Sequence, residues 1–242
     1  MTVERAIRGQ RSEAVEPDRK GRMQAEIARR ILTLALAPGS DLDEARLAQE
    51  FDLSRPPVRE VLRHMAGEGY VELRPNRGAR VSAMSHTTLR NFFLVAPMIY
   101  GAVTRLAARN ARAPQIEAIR AVQAAFRRAV EGGSAEDRVF LNDRFHALTG
   151  EMADNPYVAP SLRRLLIDHA RIATTFYHPE TEGLAEELAA AARQHDEMIA
   201  AIEARDEDAA EALAIAHWAL SRRRIEMFVQ PEGLAARLAP DP

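Results

Sequence analysis

Cysteine is absent from this chain of 242 residues. Disulfides, iron–sulfur clusters and zinc sites built on thiolates are therefore excluded, and a bound metal would need histidine, carboxylate or amide ligands. The sequence also lacks an apolar run of about 18 residues, the length that a membrane-spanning helix needs. Its first residues are charged where a secretory signal would be apolar. We therefore expect a cytoplasmic protein with no membrane partner.

Charges of the two signs are nearly balanced, with a formal net charge of −2. The composition, 47% hydrophobic and 28% charged, is typical of a globular protein, and the length is sufficient for two domains. The charge is unevenly distributed, because residues 54–80 hold six arginines and only three acidic residues. This segment is a local basic patch on a nearly neutral protein.

Residue patterns divide the chain into four parts. Residues 1–18 are polar and lack periodicity, which predicts a flexible tail. Residues 19–83 combine helical patterns with two short β-leaning stretches. Residues 84–230 read as successive amphipathic helices separated by Pro- and Gly-containing breaks. Residues 231–242 form a short C-terminal tail. The predicted fold class is mainly α.

The part from 19 to 83 predicts three helices and a hairpin. The helical pattern of residues 21–36 ends at a Pro-Gly turn in 37–40. A short helix follows Asp43. A third helix runs from Ser54, a good N-cap residue followed by two prolines, to about Ala66. Two β-leaning stretches then flank a Pro-Asn-Arg-Gly turn. Three helices followed by a hairpin wing are the winged helix-turn-helix arrangement.

The third helix is the candidate recognition helix, which would lie in the DNA major groove. The apolar side chains that share its inward side are Val58, Val61, Leu62 and Met65. Its arginines lie on the opposite side, and arginine is well suited to bidentate contact with guanine or phosphate. One such arginine alone would be ordinary surface, whereas the set on this side of this motif indicates DNA. The predicted DNA-binding residues are Ser54, Arg55, Arg59 and Arg63 on the helix and Arg77 and Arg80 on the wing.

The stretch PGSDLDEARLAQEFDLSRPPVREVLRHMAGEGYVELRPNRGARVS resembles the DNA-binding domain of the GntR family of bacterial transcription regulators. The motif positions that match are Leu42, Glu44, Leu47, Ala48, Ser54, Arg55, Pro57, Val58, Arg59, Glu60, Leu62, Gly69 and Gly78. The resemblance implies that Arg55 and Arg59 contact the operator. Some members carry a further arginine where this chain has Ala45, so that contact is not carried over.

Two histidines of the helical part are placed to share a partner. His195 and His217 lie in line with the apolar positions of their helices, each eleven residues from a turn centred on Asp206. At about 1.5 Å per residue, both imidazoles lie about 16 Å from the turn, at one height on facing helices. Buried imidazoles need a partner, and a divalent cation is the simplest shared one. Asn142 and His146, four residues apart on a third helix, could complete the set.

The stretches LNDRFHALTGEMADNP, QHDEMIAAIEARDEDAA and AHWAL resemble the FCD ligand-binding domain, which accompanies this DNA-binding domain in the FadR subfamily. The resemblance spans roughly 85–228 and implies an all-helical bundle that holds a divalent metal. The implied ligands are Asn142, His146, His195 and His217, with Asp143 as a competing first ligand. Family members often have an arginine and a glutamate where this chain has Ala96 and Tyr100. No effector contact is carried over there, and Pro97 between them is a candidate kink.

Together these resemblances imply a ligand-responsive, homodimeric transcription regulator, with repression as the first expectation, that binds a palindromic double-stranded DNA operator. A small carboxylate effector would complete the coordination of the metal, with Zn²⁺ expected and Ni²⁺ or Mn²⁺ as alternatives. Asn142 would leave the ion its full positive charge, which favours an acid. Arg171 is a candidate for binding the effector carboxylate. His169 and His178 are interpreted as structural or exposed, and Trp218 as a packing residue that points away from His217.

Two other functions stay open. The same regulator could use its histidines as hydrogen-bonding groups in a metal-free pocket. A metal-dependent hydrolase fused to a DNA-binding domain is disfavoured, because the sequence shows no HExxH motif and offers no general base. We therefore expect no enzyme.

Overall fold

The computed structural model describes residues 18–75, 78–176 and 183–229. The N-terminal elements are α1 (Arg19–Leu32), β1 (Asp41–Leu42), α2 (Glu44–Glu50), α3 (Arg55–Glu68), β2 (Val71–Arg74) and β3 (Gly78–Val81). The C-terminal elements are α4 (His86–Asn110), α5 (Ala113–Gly132), α6 (Ala135–Ala153), α7 (Ala159–Phe176), α8 (Leu184–Glu203) and α9 (Glu207–Val229). The mainly α fold class is confirmed. Both expected tails lie outside the described residues, apart from Asp18, which caps α1.

The N-terminal elements form a winged helix-turn-helix with one strand more than the sequence predicted. The antiparallel sheet has the order β1-β3-β2, and β1 joins it through the pairs Asp41–Arg80 and Leu42–Ala79. A strand of two residues is too short to show an alternating pattern, so the sequence gives no sign of it. The side chains that the third helix was expected to bury, Val58, Val61, Leu62 and Met65, are all buried.

Two helix ends differ from expectation in detail. The first helix was expected to run to the Pro-Gly turn, but α1 ends at Leu32. The hydroxyl of Thr33 donates a hydrogen bond to the Arg29 carbonyl (2.8 Å), and Leu34 adopts a left-handed φ of 60°, which stops the helix. The third helix begins directly after Ser54 as predicted. The Ser54 hydroxyl, however, makes no capping hydrogen bond within the described residues.

The C-terminal elements form an all-helical bundle around α4. This helix packs chiefly against α9 and α6, while α8 packs against α5 and α9. It continues through Pro97, so the candidate kink does not divide it. In the described part of the chain, α4 alone is long and apolar enough to cross a membrane by length and composition. Its buried apolar side chains belong to the core of the bundle, and their packing there explains much of the apolar composition of α4.

The two groups of elements meet along α7. The side chains of the shared apolar contact are Leu32, Val139, Ile167, Ala170 and Ala173. Arg171 of α7 is fully buried there, and it donates hydrogen bonds to the Ser82 carbonyl (2.7 Å) and to Asp168 (3.1 Å). The Thr174 hydroxyl donates to the Leu32 carbonyl (2.8 Å). Polar and apolar contacts on one helix therefore tie the bundle to the winged helix-turn-helix.

Candidate functional site

The structure brings together three of the four implied metal ligands. His146 on α6, His195 on α8 and His217 on α9 are buried, and their ligand nitrogens lie within 4.8 Å of one another. The Nε2 atoms of His195 and His217 are 3.2 Å apart. Two nitrogens that share a tetrahedral zinc ion at about 2.0–2.1 Å would be separated by about 3.3 Å. The spacing therefore suits a shared cation.

Glutamine side chains on neighbouring elements fix how these imidazoles present their nitrogens. The amide nitrogen of Gln123 donates to the Ala192 carbonyl (2.8 Å) and to Asp196 (3.0 Å). Its oxygen consequently faces Nδ1 of His195 at 3.1 Å. An amide oxygen only accepts, so Nδ1 of His195 carries the proton and Nε2 keeps a lone pair. Nδ1 of His217 lies 3.0 Å from the amide oxygen of Gln194, which accepts a hydrogen bond from it if His217 takes the same tautomer.

If both imidazoles carry their proton on Nδ1, two lone pairs face each other at 3.2 Å, and a cation between them removes the repulsion; in the other tautomer of His217, the two Nε2 atoms share a hydrogen bond. His146 favours the cation, because its buried Nε2 has no hydrogen-bond partner among the described residues. Burial, reinforced by the neighbouring histidines, holds the pKa values of His146 and His195 well below the usual range, and burial lowers the pKa of His217 to about 3. All three are therefore neutral near pH 7, the form that binds metal. The donor set fits a divalent ion.

The fourth implied ligand, Asn142, is buried on α6 one turn before His146. The competing residue, Asp143, is only partly buried by its solvent exposure, although desolvation raises its carboxyl pKa to about 7. Phe145, which lies between Asn142 and His146 in the sequence, stacks on the imidazole of His195, with ring centroids 3.8 Å apart. The i,i+4 spacing keeps Asn142 as the first ligand of choice, and this assignment stays a prediction.

A small cavity adjoins the histidines. His169 and Trp218, which the sequence did not place at the site, are among the residues that line it. Its volume is about 10 Å³, about the room for one water molecule. The residues that line it are Tyr100, Thr104, His146, His169, Met198, Ala214, His217 and Trp218. The expectation that Trp218 points away is wrong, because α9 lies against α4 and its indole stacks on Tyr100 at the cavity wall. Its ring also contacts Phe92, so the predicted packing role holds.

His169 takes part in the cavity through a hydrogen bond, where the sequence suggested a structural or exposed residue. It is buried on α7, and its Nδ1 lies 2.8 Å from the hydroxyl of Tyr100. Burial lowers the pKa of His169 to about 4, so this imidazole is also neutral near pH 7. The sequence contains no signal for this hydrogen bond. Tyr100 lies on α4 and His169 on α7, and the packing of these two helices brings the side chains together.

Arg171 is not part of this cavity. The structure places it at the junction with Ser82, where its guanidinium is engaged by a carbonyl and by Asp168. Its assignment to an effector carboxylate finds no supporting contact and stays an untested prediction. Two other residues singled out from the sequence, Arg77 and His178, lie outside the described residues.

The candidate DNA surface lies on α3 and the wing. Ser54, Arg55, Arg59 and Arg63 are exposed, and Arg80 is half-buried. Arg59 donates a hydrogen bond from Nε to Glu44 on α2 (2.8 Å), and Arg80 donates to Asp41 (2.9 Å). These carboxylates orient their arginines, a role that the sequence analysis did not assign. An open groove runs beside them, lined by Glu44, Arg59, Leu62, Arg63, Leu73, Arg74 and Gly78.

Comparison with known protein families gives two matches that follow one another along the chain. Residues 20–81 match the model described as bacterial regulatory proteins, gntR family, and residues 97–220 match the FCD domain. The first match covers the winged helix-turn-helix, and the second covers the bundle that holds the histidines.

Curated relatives and solved structures agree with these matches. The HTH-type transcriptional repressor RspR of Escherichia coli (strain K12) is 30% identical over 193 residues, which cover 79% of this chain and 82% of that protein. The Nta operon transcriptional regulator of Aminobacter aminovorans is 25% identical over 130 residues, 53% of this chain and 60% of that protein. The structure of E. coli McbR/YncC superposes with a TM-score of 0.70 at 17% identity, covering 86% and 96% of the two chains. That last likeness concerns the fold alone.

Proposed function

Because the chain belongs to the GntR family of bacterial regulatory proteins and carries an FCD domain, it is a DNA-binding transcription regulator and not an enzyme, and we propose the form that its regulation takes. It acts in the cytoplasm as a homodimeric repressor on a palindromic operator. A small organic acid, bound at a divalent metal ion in the helical domain (84–230), controls the DNA-binding domain (19–83).

The DNA half of the proposal rests on the exposed face of α3. Arg55, Arg59 and Arg63 lie on the side opposite the buried core, so α3 can enter a major groove without disturbing its own packing. Glu44 holds the guanidinium of Arg59 by a 2.8 Å hydrogen bond, which limits the orientations from which it can reach a base edge. Arg80 would contact the sugar–phosphate backbone from the wing, and Arg77, which lies outside the described residues, is assigned the same role from the sequence. Such phosphate contacts make affinity fall with salt.

The convergence of three buried, neutral imidazoles is the observation that carries the effector half. His146, His195 and His217 would hold the ion together with Asn142, and zinc is the first assignment, with nickel or manganese as alternatives. When bound, the ion supplies positive charge and an open coordination position for a carboxylate oxygen. Because imidazoles and an amide bring no negative charge, that positive charge is left for an anionic ligand to neutralise.

Helix α7 offers a path between the two halves. His169 borders the cavity, and Arg171, two residues later, bonds the Ser82 carbonyl next to the wing. Ser82 in turn donates a hydrogen bond from its hydroxyl to the carbonyl of Gly69, at the end of α3. A ligand that shifts His169 would therefore move the support of the recognition helix. This is coupling between two distinct sites, as allostery requires.

A homodimer is supported by an apolar surface on α4 that is exposed in the part of the chain that the structure describes. Leu94 and Met98 lie one turn apart and are 70% and 71% exposed. Large apolar side chains grouped on one face commonly mark a protein–protein contact. We place the dimer contact on this face, which would leave each α3 free to take one half-site of the operator.

A metal-free effector pocket is the alternative, in which the two Nε2 atoms of His195 and His217 share a hydrogen bond; the approach of three ligand nitrogens to within 4.8 Å of one another favours the metal. A hydrolase finds less support still, because the described lining of the cavity contains no carboxylate that could serve as a base.

Elemental analysis and operator binding test the proposal together. Purified protein is expected to contain one divalent metal ion per chain, or to take one up from added Zn²⁺, Ni²⁺ or Mn²⁺. Operator DNA is then expected to be released when small carboxylates are added to the metal-loaded protein, but not when they are added to the metal-free protein. A metal content that remains well below one ion per chain after such additions rejects the metal site.

A further inference from the structure

Trp218 has a buried hydrogen-bond donor without a described acceptor, and its side chain helps to line the cavity beside the histidines. Its side chain is 4% exposed and lines that cavity with His146 and His217. Its indole N–H has no hydrogen-bond partner within the described part of the chain. A buried donor left unpaired costs free energy, and such a group in a cavity indicates a site that something else completes.

The hydroxyl groups on the cavity wall already have partners, and so does Nδ1 of His217. The hydroxyl of Tyr100 is engaged with Nδ1 of His169, and the hydroxyl of Thr104 donates to the Tyr100 carbonyl (2.8 Å). Nδ1 of His217 contacts Gln194. Among the residues that line the cavity, the indole N–H of Trp218 is thus a buried donor that has no partner in the described part of the chain and could serve a ligand.

We propose that Trp218 recognises the ligand of the metal site. One oxygen of a carboxylate occupies the open coordination position of the ion, and the second oxygen accepts a hydrogen bond from the indole N–H of Trp218. This inference rests on the metal site of the proposed function and adds to it the residue that selects the ligand.

The same cavity restricts the class of carboxylate. The described residues that line it include no arginine or lysine. The ion would be its only positive charge. A second carboxylate would therefore be buried without a counter-charge, which is strongly unfavourable. The ligand is a monocarboxylate, in preference to a dicarboxylate or tricarboxylate.

The variant Trp218→Phe tests the hydrogen bond, with sodium acetate as the probe and calorimetry on the Zn²⁺-loaded full-length protein. Phenylalanine keeps an aromatic ring but removes the N–H. Zinc affinity is expected to stay within about threefold of wild type, while acetate affinity falls by about tenfold or more, as expected for a lost hydrogen bond to a charged acceptor. Tyr100→Phe is the matched control, because the hydroxyl that it removes is already bonded to His169; acetate affinity should change by less than about threefold.

Tryptophan fluorescence provides a second readout that does not depend on the stability of a variant. Trp218 is the one tryptophan of the chain, so its emission reports this cavity alone. Acetate added to Zn²⁺-loaded wild-type protein should shift that emission, and acetate added to metal-free protein should not. Acetate, propionate, malonate and citrate are then compared, and the two monocarboxylates are expected to bind at least tenfold more tightly.

The outcomes separate the two proposals. Wild-type protein that binds no Zn²⁺, Ni²⁺ or Mn²⁺ overturns the proposed function and this inference with it. Protein that binds metal but shows equal acetate affinity in wild type and Trp218→Phe, or no change in emission, overturns the role of Trp218 alone. Tighter binding of malonate or citrate than of acetate overturns the assigned ligand class.

Discussion

The α3 surface carries its chemistry on exposed arginines, whereas the histidine cavity carries its chemistry on buried, neutral imidazoles. Arg59 is held by a carboxylate at the solvent boundary, with about half of its side chain exposed. His195 is completely buried and is held by the amide of Gln123. Exposed charges are screened by salt, while burial sets protonation. Ionic strength should therefore act on the first site and pH on the second.

Acid should produce the largest difference between the two halves. The buried histidines whose pKa values are lowered all lie in the helical domain: His146, His169, His195 and His217. Above pH 6.5 they are neutral in both folded and unfolded chains. Below pH 6.5 the unfolded chain binds protons that the folded chain does not, so the free energy of unfolding falls, by up to about 1.4 kcal/mol per pH unit for each histidine.

Asp143 acts in the opposite sense, since its folded pKa of about 7 lies above the usual value of 3.8. Its protonation stabilises the fold between these values and offsets one histidine of the four. Hydrogen exchange of metal-free protein at pH 7.5, 6 and 5 should show the helical domain opening before the DNA-binding domain. Residues 19–83 contain one histidine, His64, which is exposed on α3 and not buried as the four in the helical domain are. Equal pH dependence in both halves would contradict this.

His195→Ala should separate the two sites most cleanly by mutation. It removes a central imidazole, and metal affinity is expected to fall by about 100-fold or more, since even loss of a residue behind a ligand costs about 10- to 100-fold. Operator affinity without effector should stay within about threefold of wild type. Zinc titration and gel-shift assays measure the two quantities. If His195→Ala still releases DNA when small carboxylates are added, His195 is not a ligand of the metal.

Arg59→Ala should produce the reverse pattern, with unchanged metal affinity and weakened DNA binding. Loss of a bidentate base contact costs about 1–3 kcal/mol, or about 5- to 150-fold in operator affinity. Arg128→Ala, an exposed arginine on α5, is the matched control and should leave operator affinity unchanged. If Arg59→Ala shifts the operator as well as wild type does, α3 is not the recognition helix.

The geometry of the candidate DNA surface was predictable because its signals are local. Ser54, two prolines and four apolar side chains at helical spacing specify α3 within about four turns, and the outward side of the arginines follows from that spacing. The two-residue strand β1 was missed because its pairing with β3 is not local. The orientation of Arg59 by Glu44 was missed for the same reason, as the partners lie on different helices.

The cavity was predictable only in part, because its walls come from distant elements. The equal distance of His195 and His217 from their turn predicted that they converge, and the structure places them 3.2 Å apart. No spacing along one helix could show that Gln123 on α5 fixes the proton of His195. His169 was predicted as structural or exposed and Trp218 as a packing residue, but their place at the cavity was missed, because it depends on the packing of α7 and α9 against α4, where both meet Tyr100.

Gln123→Leu tests whether the buried site depends on its neutral amides. Without the amide oxygen, Nδ1 of His195 loses its acceptor, and the imidazole can present a protonated Nε2 to the ion. Zinc affinity should fall by about tenfold. Gln194→Leu should have a smaller effect, because the amide of Gln123 is fixed by two further hydrogen bonds, to Ala192 and Asp196. If zinc affinity falls equally in the two variants, the two hydrogen bonds that fix the amide of Gln123 do not contribute to metal binding.

Asn142→Asp is expected to have the smallest effect and bears most directly on why the site is neutral. A carboxylate one turn before His146 would add negative charge to the ligand set. It should tighten zinc by a few-fold and weaken acetate by a similar factor, because less positive charge remains on the ion for the ligand. Asp143→Asn is the matched control, since it removes the neighbouring carboxylate and should leave both affinities nearly unchanged. If Asn142→Asp instead weakens zinc binding and tightens acetate binding, residue 142 does not set the charge of this site. If Asp143→Asn is the variant that loses zinc, the first ligand is Asp143, and its carboxylate already neutralises one charge of the ion in the absence of the effector.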